Sequence, residues 1–301
     1  MDIRSLRYFL AAAREENMTR AAEYLHVTQP TLSRTLHTLE DELGKKLFVR
    51  HSFSISLTEE GALLRKRAED LVGMADKIEQ EFLTLDSTDG GDLYFGLAET
   101  RRIQKLAEQI RILKNTCPNL RWHVTSGDTE QVTEKLDKGL LDFAVLCDIP
   151  DSRKYEYLVF PEKDTWGAVI RADSPLASKT SVTVQDLAGH PLFASEQAWR
   201  NDIPHWAGAM MPKLHLEGSF RLSYNASLFV REGLGVLLTF DGIIDTSKES
   251  GLVFRPLSPV LETPVCLIWN RSHSFTPAAE RFLCQIRTAF SLQVTSEDSV
   301  S

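Results

Sequence analysis

Four leucines, at positions 32, 36, 39 and 43, stand at helical spacing between Pro30 and Gly44. On a wheel of 100° per residue they fall in one narrow sector, so this stretch must bury that stripe against a neighbour. Thr28 is a good N-cap, Pro30 falls in the first turn where a missing N–H costs nothing, and Gly44 suits the stop. Pro30, Arg34, His37 and Asp41 lie opposite the leucines, with Thr31 and Ser33 flanking. Upstream, Leu6, Phe9, Leu10 and Ala13 mark a first amphipathic helix. A second runs from Arg20 to Leu25 behind a cap at Asn17 or Thr19, and its small Ala21 and Ala22 let another helix approach closely. His26-Val27-Thr28 then breaks the pattern. The result is a helix–turn–helix pattern whose second helix carries suitable chemistry for DNA. Arg reads guanine edges, Gln pairs with adenine, and Ser and Thr donate to phosphates or bases. The same periodicity also fits a plain three-helix core with a solvated face.

Charge narrows where such a contact can lie. The 301-residue chain has a net charge of −8. Residues 1–58 hold eight Lys/Arg against seven Asp/Glu, and the remainder holds 26 against 35. Electrostatics therefore permits DNA binding at the N-terminus and disfavours it elsewhere. A hydrophobic content of 43% with 25% charged residues reads as globular, and the length suits two or three domains. No apolar run is long enough to span a bilayer. The start, MDIRSLRYFLAAAREENM, lacks the form of a secretion signal, so a cytoplasmic protein without a membrane partner is expected. Cys117, Cys147, Cys266 and Cys284 are scattered, without CxxC or zinc spacing. They are expected to be reduced, with no metal and no cofactor.

The run TRAAEYLHVTQPTLSRTLHTLEDELGKKLFVR, followed by SLTEEG at 56–61, closely resembles the N-terminal domain of LysR-type transcriptional regulators. The resemblance implies a winged helix–turn–helix over 1–58, with Gln29, Pro30, Thr31, Ser33 and Arg34 facing DNA and Arg50 at the wing. Arg20 and His37 complete the candidate DNA-binding set. One departure stands out. The family's wing usually carries further basic residues after this arginine, and here it reads His51-Ser52-Phe53-Ser54. Fewer phosphate contacts imply weaker non-specific binding and a shallower salt dependence.

From Glu59 to about Leu85 there is no Pro. Leu64, Leu71, Ile78 and Leu85 are seven apart, and Ala68, Ala75 and Phe82 follow the first three by four. That is an a/d seam over about three heptads, on a rod of roughly 40 Å. The alternative is a helix packed on its own domain. The strict repeat predicts self-pairing through Leu64, Leu71, Ile78 and Phe82, and the resemblance agrees, implying a linker helix over 59–86 that dimerises the DNA-binding domains. A two-fold dimer predicts a pseudo-palindromic site on double-stranded DNA. STDGG, 87–91, reads as a hinge.

From Asp92 strands and helices alternate. LYFGLA (93–98), LRWHVTS (120–126) and DFAVLC (142–147) read as strands, separated by helices capped at Thr100 and at Asp128 or Thr129. Such a run predicts a parallel sheet covered on both faces, with ligands beyond the carboxyl ends of the strands. A second α/β unit follows over about 162–265. VCLIWN (265–270) and a helix over 275–290 then return to the first unit. The expectation is a two-lobed domain over 92–291, with lobe I at about 92–161 and 266–291, lobe II at about 162–265, and a polar tail at 292–301. SGDTEQVTEKLDKGLLDFAVL, DLAGHPLF, EGLGVLL and FTPAAERFL sit where the LysR effector-binding domain has similar phrases. This resemblance is looser and implies a periplasmic-binding-protein-like sensor with a small molecule in its cleft. The candidate contacts are Thr100, Gly127, Thr129, Ser195 and Asn225. Arg101, Arg102 and the helix N-termini suit an anion, whereas Glu99 and Asp128 favour an amine or a zwitterion. Trp199, His205 and Trp206 could form an aromatic wall, and core packing is the alternative for the tryptophans.

Competing classes find less support. No GxSxG, HExxH or P-loop occurs, and Gly233-Leu-Gly235 is a fragment of a dinucleotide fingerprint that fits a tight turn. A stand-alone ligand-binding protein would need export, and a redox sensor finds no help in the cysteine spacing. The fold class expected is α+β multidomain: winged helix–turn–helix, long linker helix, two-lobed α/β sensor. The function expected is a homodimeric or homotetrameric DNA-binding regulator tuned by a small molecule, touching RNA polymerase if it activates.

Overall fold

The computed structural model describes residues 1–85, 87 and 89–297, with the side chains of 292–297 left aside. Asp86, Thr88 and the end of the polar tail, 298–301, lie outside the described residues. The chain divides into two compact units, 1–86 and 87–301.

The first unit runs α1 (Ile3–Glu15), α2 (Met18–Tyr24), α3 (Gln29–Leu43), β1 (Phe48–Arg50), β2 (Ile55–Leu57) and α4 (Glu59–Thr84). Side-chain caps set its helix starts. Asn17 accepts from the N–H groups of Thr19 and Arg20, Thr28 from Thr31, and Thr58 from Gly61. Between α2 and α3 the chain turns through His26 in the left-handed region (φ 53°), which lets the Val27 N–H reach back to the Ala22 carbonyl. Gly44 (φ 63°) ends α3 in the same conformation. Leu6, Phe9, Ala12, Ala21, Ala22, Leu32, Leu36 and Leu39 form the core. Leu43, expected in the buried stripe, is instead 39% exposed, because α3 overruns the core by its last turn. Glu40 is buried there. Its carboxylate accepts from the Leu47 N–H (2.8 Å), the Phe48 N–H (3.4 Å) and Lys46 Nζ (2.7 Å), and so ties α3 to the β1–β2 hairpin.

Helix α4 departs from the expected seam at its N-terminal end. Ala68 is buried, and Leu64 and Val72 are partly buried, against the core of their own unit. Leu64 is therefore an intramolecular contact, because the first turns of α4 lie along α1. Arg7 on α1 adds an ion pair to Asp76 at 2.5 Å. Leu71, Ile78, Phe82 and Leu85 remain exposed, as do Leu63 and Leu83.

The second unit begins with β3 (Gly90–Leu97), which takes in Gly90 and Gly91 from the expected hinge. There follow α5 (Ile103–Leu113), β4 (Asn119–Ser126), α6 (Thr129–Asp137), β5 (Phe143–Leu146) and β6 (Tyr155–Val159). The chain then crosses to β7 (Asp164–Arg171), β8 (Val182–Thr183), α7 (Val184–Leu187), β9 (Pro191–Ser195), α8 (Glu196–Arg200) and α9 (Asp202–Ala207). It continues through β10 (His215–Phe220), α10 (Ser223–Arg231), β11 (Val236–Phe240), β12 (Leu252–Ser258) and β13 (Glu262–Thr263). It returns with β14 (Cys266–Asn270) and α11 (Pro277–Glu297), whose backbone stays helical into the expected tail.

Two sheets result. The first has the order β4-β3-β5-β14-β6, and the second β10-β9-β11-β7-β12-β8 with β13 beside β7. In the first sheet β3 pairs in parallel with β4 and β5, while β14 is antiparallel to β5 and β6. The sheet is mixed because the returning strand enters from the other lobe. One face carries an aromatic core of Phe95, Phe143, Phe282 and Trp269 under α5 and α11. The other carries Val132, Leu136, Ala144 and Ile268 under α6. The helices cover the central strands on both faces, while the edge strand β4 stays largely exposed; both crossings between lobes pass at the strand ends.

Candidate functional site

Two concave features stand out, one in each unit. The first is the outer face of α3. Gln29, Pro30, Ser33, Arg34, His37 and Thr38 line one shallow groove, and all but the half-buried Ser33 are exposed. The stripe at 32, 36 and 39 holds the opposite side in the core, so this face is forced outward. Among the described residues no hydrogen bond or ion pair engages the Arg34 guanidinium. Arg50 on β1 donates to Ser33 Oγ at 3.3 Å, which joins the hairpin to the groove. His37 Nδ1 lies 2.7 Å from Asp41 Oδ2. Thr31 is exposed, and its hydroxyl pairs with that of Thr28 in the cap. Arg20 lies on α2 and donates to the Glu15 carbonyl at 2.5 Å. Thr38 went unmarked in the sequence, although its place one turn beyond Arg34 could have flagged it. At the hairpin tip Phe53 is 91% exposed, and its carbonyl accepts from Asn17 Nδ2 at 3.0 Å.

The second feature is a cavity of about 400 Å³ between the two sheets of the second unit. Gly127, Thr129 and Ser195 line it. Thr100 and Asn225, expected beside them, do not. Thr100 is buried, and its hydroxyl accepts from the Arg102 N–H at 3.0 Å, closing the turn before α5. Asn225 is exposed on the first turn of α10, pointed away by the burial of Ala226 and Ser227. The aromatic wall is Trp166 with Phe240, ring centroids 4.3 Å apart, and Phe220. Trp206 belongs to the core, where its indole donates to the Pro259 carbonyl, and neither Trp199 nor His205 lines the cavity.

The charged lining is mainly acidic. Glu99, Asp128 and Asp202 face it together with Arg221. Glu196 also lies at the rim, exposed and paired with Arg200. Burial, and then the nearby Asp148, push the Asp202 carboxyl above the usual carboxylate range. The two arginines expected to attract an anion are engaged elsewhere. Arg101 pairs with Asp241 at 3.1 Å. Arg102 donates to Asp164 (3.0 Å), Glu162 (2.5 Å) and the Lys163 carbonyl (2.6 Å). Three helix N-termini near the cavity are capped by the chain itself. Asp128 accepts from the Gln131 N–H at 2.9 Å, Ser195 from the Ala198 N–H at 3.2 Å, and Glu99 from the Ser223 N–H at 2.7 Å. Glu99 and Ser223 sit on opposite lobes, so this cap is also a bridge; Gln197 makes another, accepting from the Thr129 N–H at 3.4 Å. No local pattern in the sequence marks Ser223 as Glu99's partner, 124 residues away.

Cys147 directly follows β5 and lines the cavity. Burial, and then the charge of Asp164, push its thiol well above the usual range. Burial also pushes Cys266 up, to about 11. Neither is a ready thiolate. Among the described residues no group of three or more His, Cys, Asp or Glu is arranged to hold a metal ion, and no helix is long and apolar enough to cross a membrane.

Comparison with known proteins places these features. The family model described as the LysR substrate binding domain matches residues 87–291, and that of the bacterial regulatory helix-turn-helix protein, lysR family, matches residues 3–62. The chain is similar to a hydrogen peroxide-inducible genes activator of Pectobacterium carotovorum subsp. carotovorum, 34% identical over 197 residues. That match spans 65% of this chain and 65% of the relative's length. It is also similar to the HTH-type transcriptional regulator YybE of Bacillus subtilis (strain 168), 27% identical over 296 residues, covering 97% of this chain and all of that one. Its fold is similar to that of CbnR, a LysR family transcriptional regulator solved alone and with its target DNA. There the TM-score is 0.76 at 18% identity, with 96% of this chain and 99% of that one covered. With both family models matched, and the substrate-binding model covering more than half of its length, the chain belongs to the LysR family of bacterial regulators.

Proposed function

We propose that the protein is a DNA-binding transcriptional regulator whose promoter engagement is set by a small molecule held between the lobes of its second unit. The observation that carries the first half is the α3 face. Its Gln, Pro, Ser, Arg, His and Thr side chains line a groove opposite a buried leucine stripe, which is what a helix entering the major groove requires. In this reading Arg34 and Gln29 read base edges, Ser33, Thr31 and Arg50 meet phosphates, and Arg20 and His37 flank them. The exposed Leu71, Ile78 and Phe82 on α4 support pairing with a second copy, and a two-fold pair would take a pseudo-palindromic site. The cavity supports the second half, with Gly127, Thr129 and Ser195 as contacts. A ligand that binds one arrangement of the oligomer better than the other would shift promoter contacts by that difference. RNA polymerase is the further partner if the protein activates.

The test is selection of bound fragments from genomic DNA followed by footprinting, with Arg34→Ala beside the parent. Loss of roughly 1–3 kcal/mol in specific binding is expected if Arg34 reads a base. An unchanged footprint and affinity would reject that role.

A further inference from the structure

We propose that the interlobe cavity binds a ligand through a positively charged amine or guanidinium group, with an apolar body against Trp166 and Phe240. The inference rests on the reading of the cavity as the effector site and goes on to name the chemistry it selects.

Three features converge, the first two sharing the carboxylates of Glu99 and Asp128. The first is the balance of charge. Glu99, Asp128 and Asp202 line the space, and Arg221 is the basic residue set against them. Inside a partly enclosed cavity such charges act at a lower effective dielectric than in water, so a cation is favoured and an anion opposed. The burial of Asp202 adds to this. Thr263 Oγ1, at 3.5 Å, and His205 offset part of the cost of its ionisation, and a cation beside it would offset more.

The second feature is the state of the anion-binding groups. A helix N-terminus attracts anions through its free N–H groups and its dipole. Here the N–H of Ser223, opening α10, already meets the carboxylate of Glu99. The start of α6 is met by Asp128 and by the amide oxygen of Gln197. Two of the groups that would receive a carboxylate or phosphate are thus neutralised by acidic side chains of the chain itself. Arg101 and Arg102, the nearby cations, are held by Asp241, Glu162 and Asp164, outside the cavity lining.

The third is the wall. Trp166 and Phe240 line the same space as the carboxylates and offer an apolar body a surface to pack on. A volume of about 400 Å³ accommodates a small metabolite.

The test uses the full chain. Its five tryptophans all lie after residue 87, so their fluorescence reports unfolding of the ligand-binding unit alone. Unfolding is followed with 10 mM putrescine, agmatine or lysine, and with acetate, succinate or benzoate, on the order of the excess that resolves weak binding. The expected result is a higher unfolding temperature with at least one amine and with none of the anions. In calorimetry Asp202→Asn should then weaken that amine by tenfold or more. Glu99→Gln, which keeps an acceptor for the Ser223 N–H, serves as a second variant should Asp202→Asn fail to fold. Stabilisation by a carboxylate and by no amine would overturn the proposal while leaving the cavity as the effector site. Amine binding unaltered by both substitutions would overturn it as well. A ligand whose binding survives Ser195→Trp, which projects an indole into the cavity, would overturn both readings, as would stabilisation by no compound.

Discussion

Replacing Glu40 tests whether the DNA-binding unit is held together as described. The carboxylate is buried and receives the Leu47 N–H at 2.8 Å, the Phe48 N–H at 3.4 Å and Lys46 Nζ at 2.7 Å. Glu40→Ala strands the Leu47 N–H in the core, a cost of roughly 1–3 kcal/mol, to which the longer Phe48 bond adds little. Lys46 is 67% exposed, so Lys46→Ala should cost about 0–1 kcal/mol. Glu40→Gln keeps an acceptor for Leu47 and loses the charge, so it should fall between. Burial alone would raise the Glu40 carboxyl, but the hydrogen bonds from Lys46, Leu47 and Phe48 outweigh it and hold it below the usual range. A lowered pKa contributes stability that is fully present above the unfolded value of about 4.3 and is lost as pH falls through the folded one. The gap between parent and Glu40→Gln should therefore narrow between neutral pH and acid. Urea unfolding by circular dichroism, with tryptophan fluorescence beside it, separates the units, because residues 1–86 contain no tryptophan. The circular dichroism transition should move while the fluorescence transition stays. Equal movement of both, or movement of neither, would refute the argument.

Other consequences follow from the same structure. Leu71→Asp should halve the mass in solution, since Leu71 is exposed in the single chain and free to pair; light scattering checks this, and an unchanged mass removes the seam. Leu64→Asp should instead destabilise the first unit, because Leu64 packs on its core, a difference visible in urea melts. Gly61→Ala would place a Cβ 2.2 Å from the Leu47 carbonyl oxygen, so a loss of roughly 1–3 kcal/mol and weaker DNA binding are expected. Hydrogen peroxide should not act on DNA binding through Cys147 or Cys266, whose thiols burial keeps protonated, whereas Cys284 is exposed; a peroxide-induced shift abolished by Cys147→Ser or Cys266→Ser would contradict this.

Local chemistry made the helix–turn–helix legible from sequence. Each of its caps, Asn17, Thr28 and Gly44, acts within a few residues of itself, and the leucine stripe needs only helical geometry to define a face. The β-α-β-α-β run was readable for the same reason: period and turn residues are local properties. The heptad repeat marks a stripe in the sequence but does not reveal its partners. Leu64 and Leu71 are equivalent in the repeat, yet α1 covers one and leaves the other exposed. Leu43 failed in the same way, because where a core ends depends on its neighbours.

The cavity shows the division most clearly. Position beyond the strand ends, near a helix N-terminus, points to Gly127 and Thr129, and position in the resembled cleft points to Ser195. Thr100 satisfied the same rule and was lost to a turn of its own. Whether Arg101 and Arg102 faced a ligand depended on Asp241, Glu162 and Asp164, which lie 60 to 140 residues away. The carboxylate of Glu99 reached its N–H partner across 124 residues. Sequence alone determined the main elements, the caps of the helix–turn–helix and the outward face of α3, because those follow from short-range sterics and hydrogen bonding. Only the tertiary structure decided which charges remain free in the cleft, because ion pairs form between groups that folding brings together.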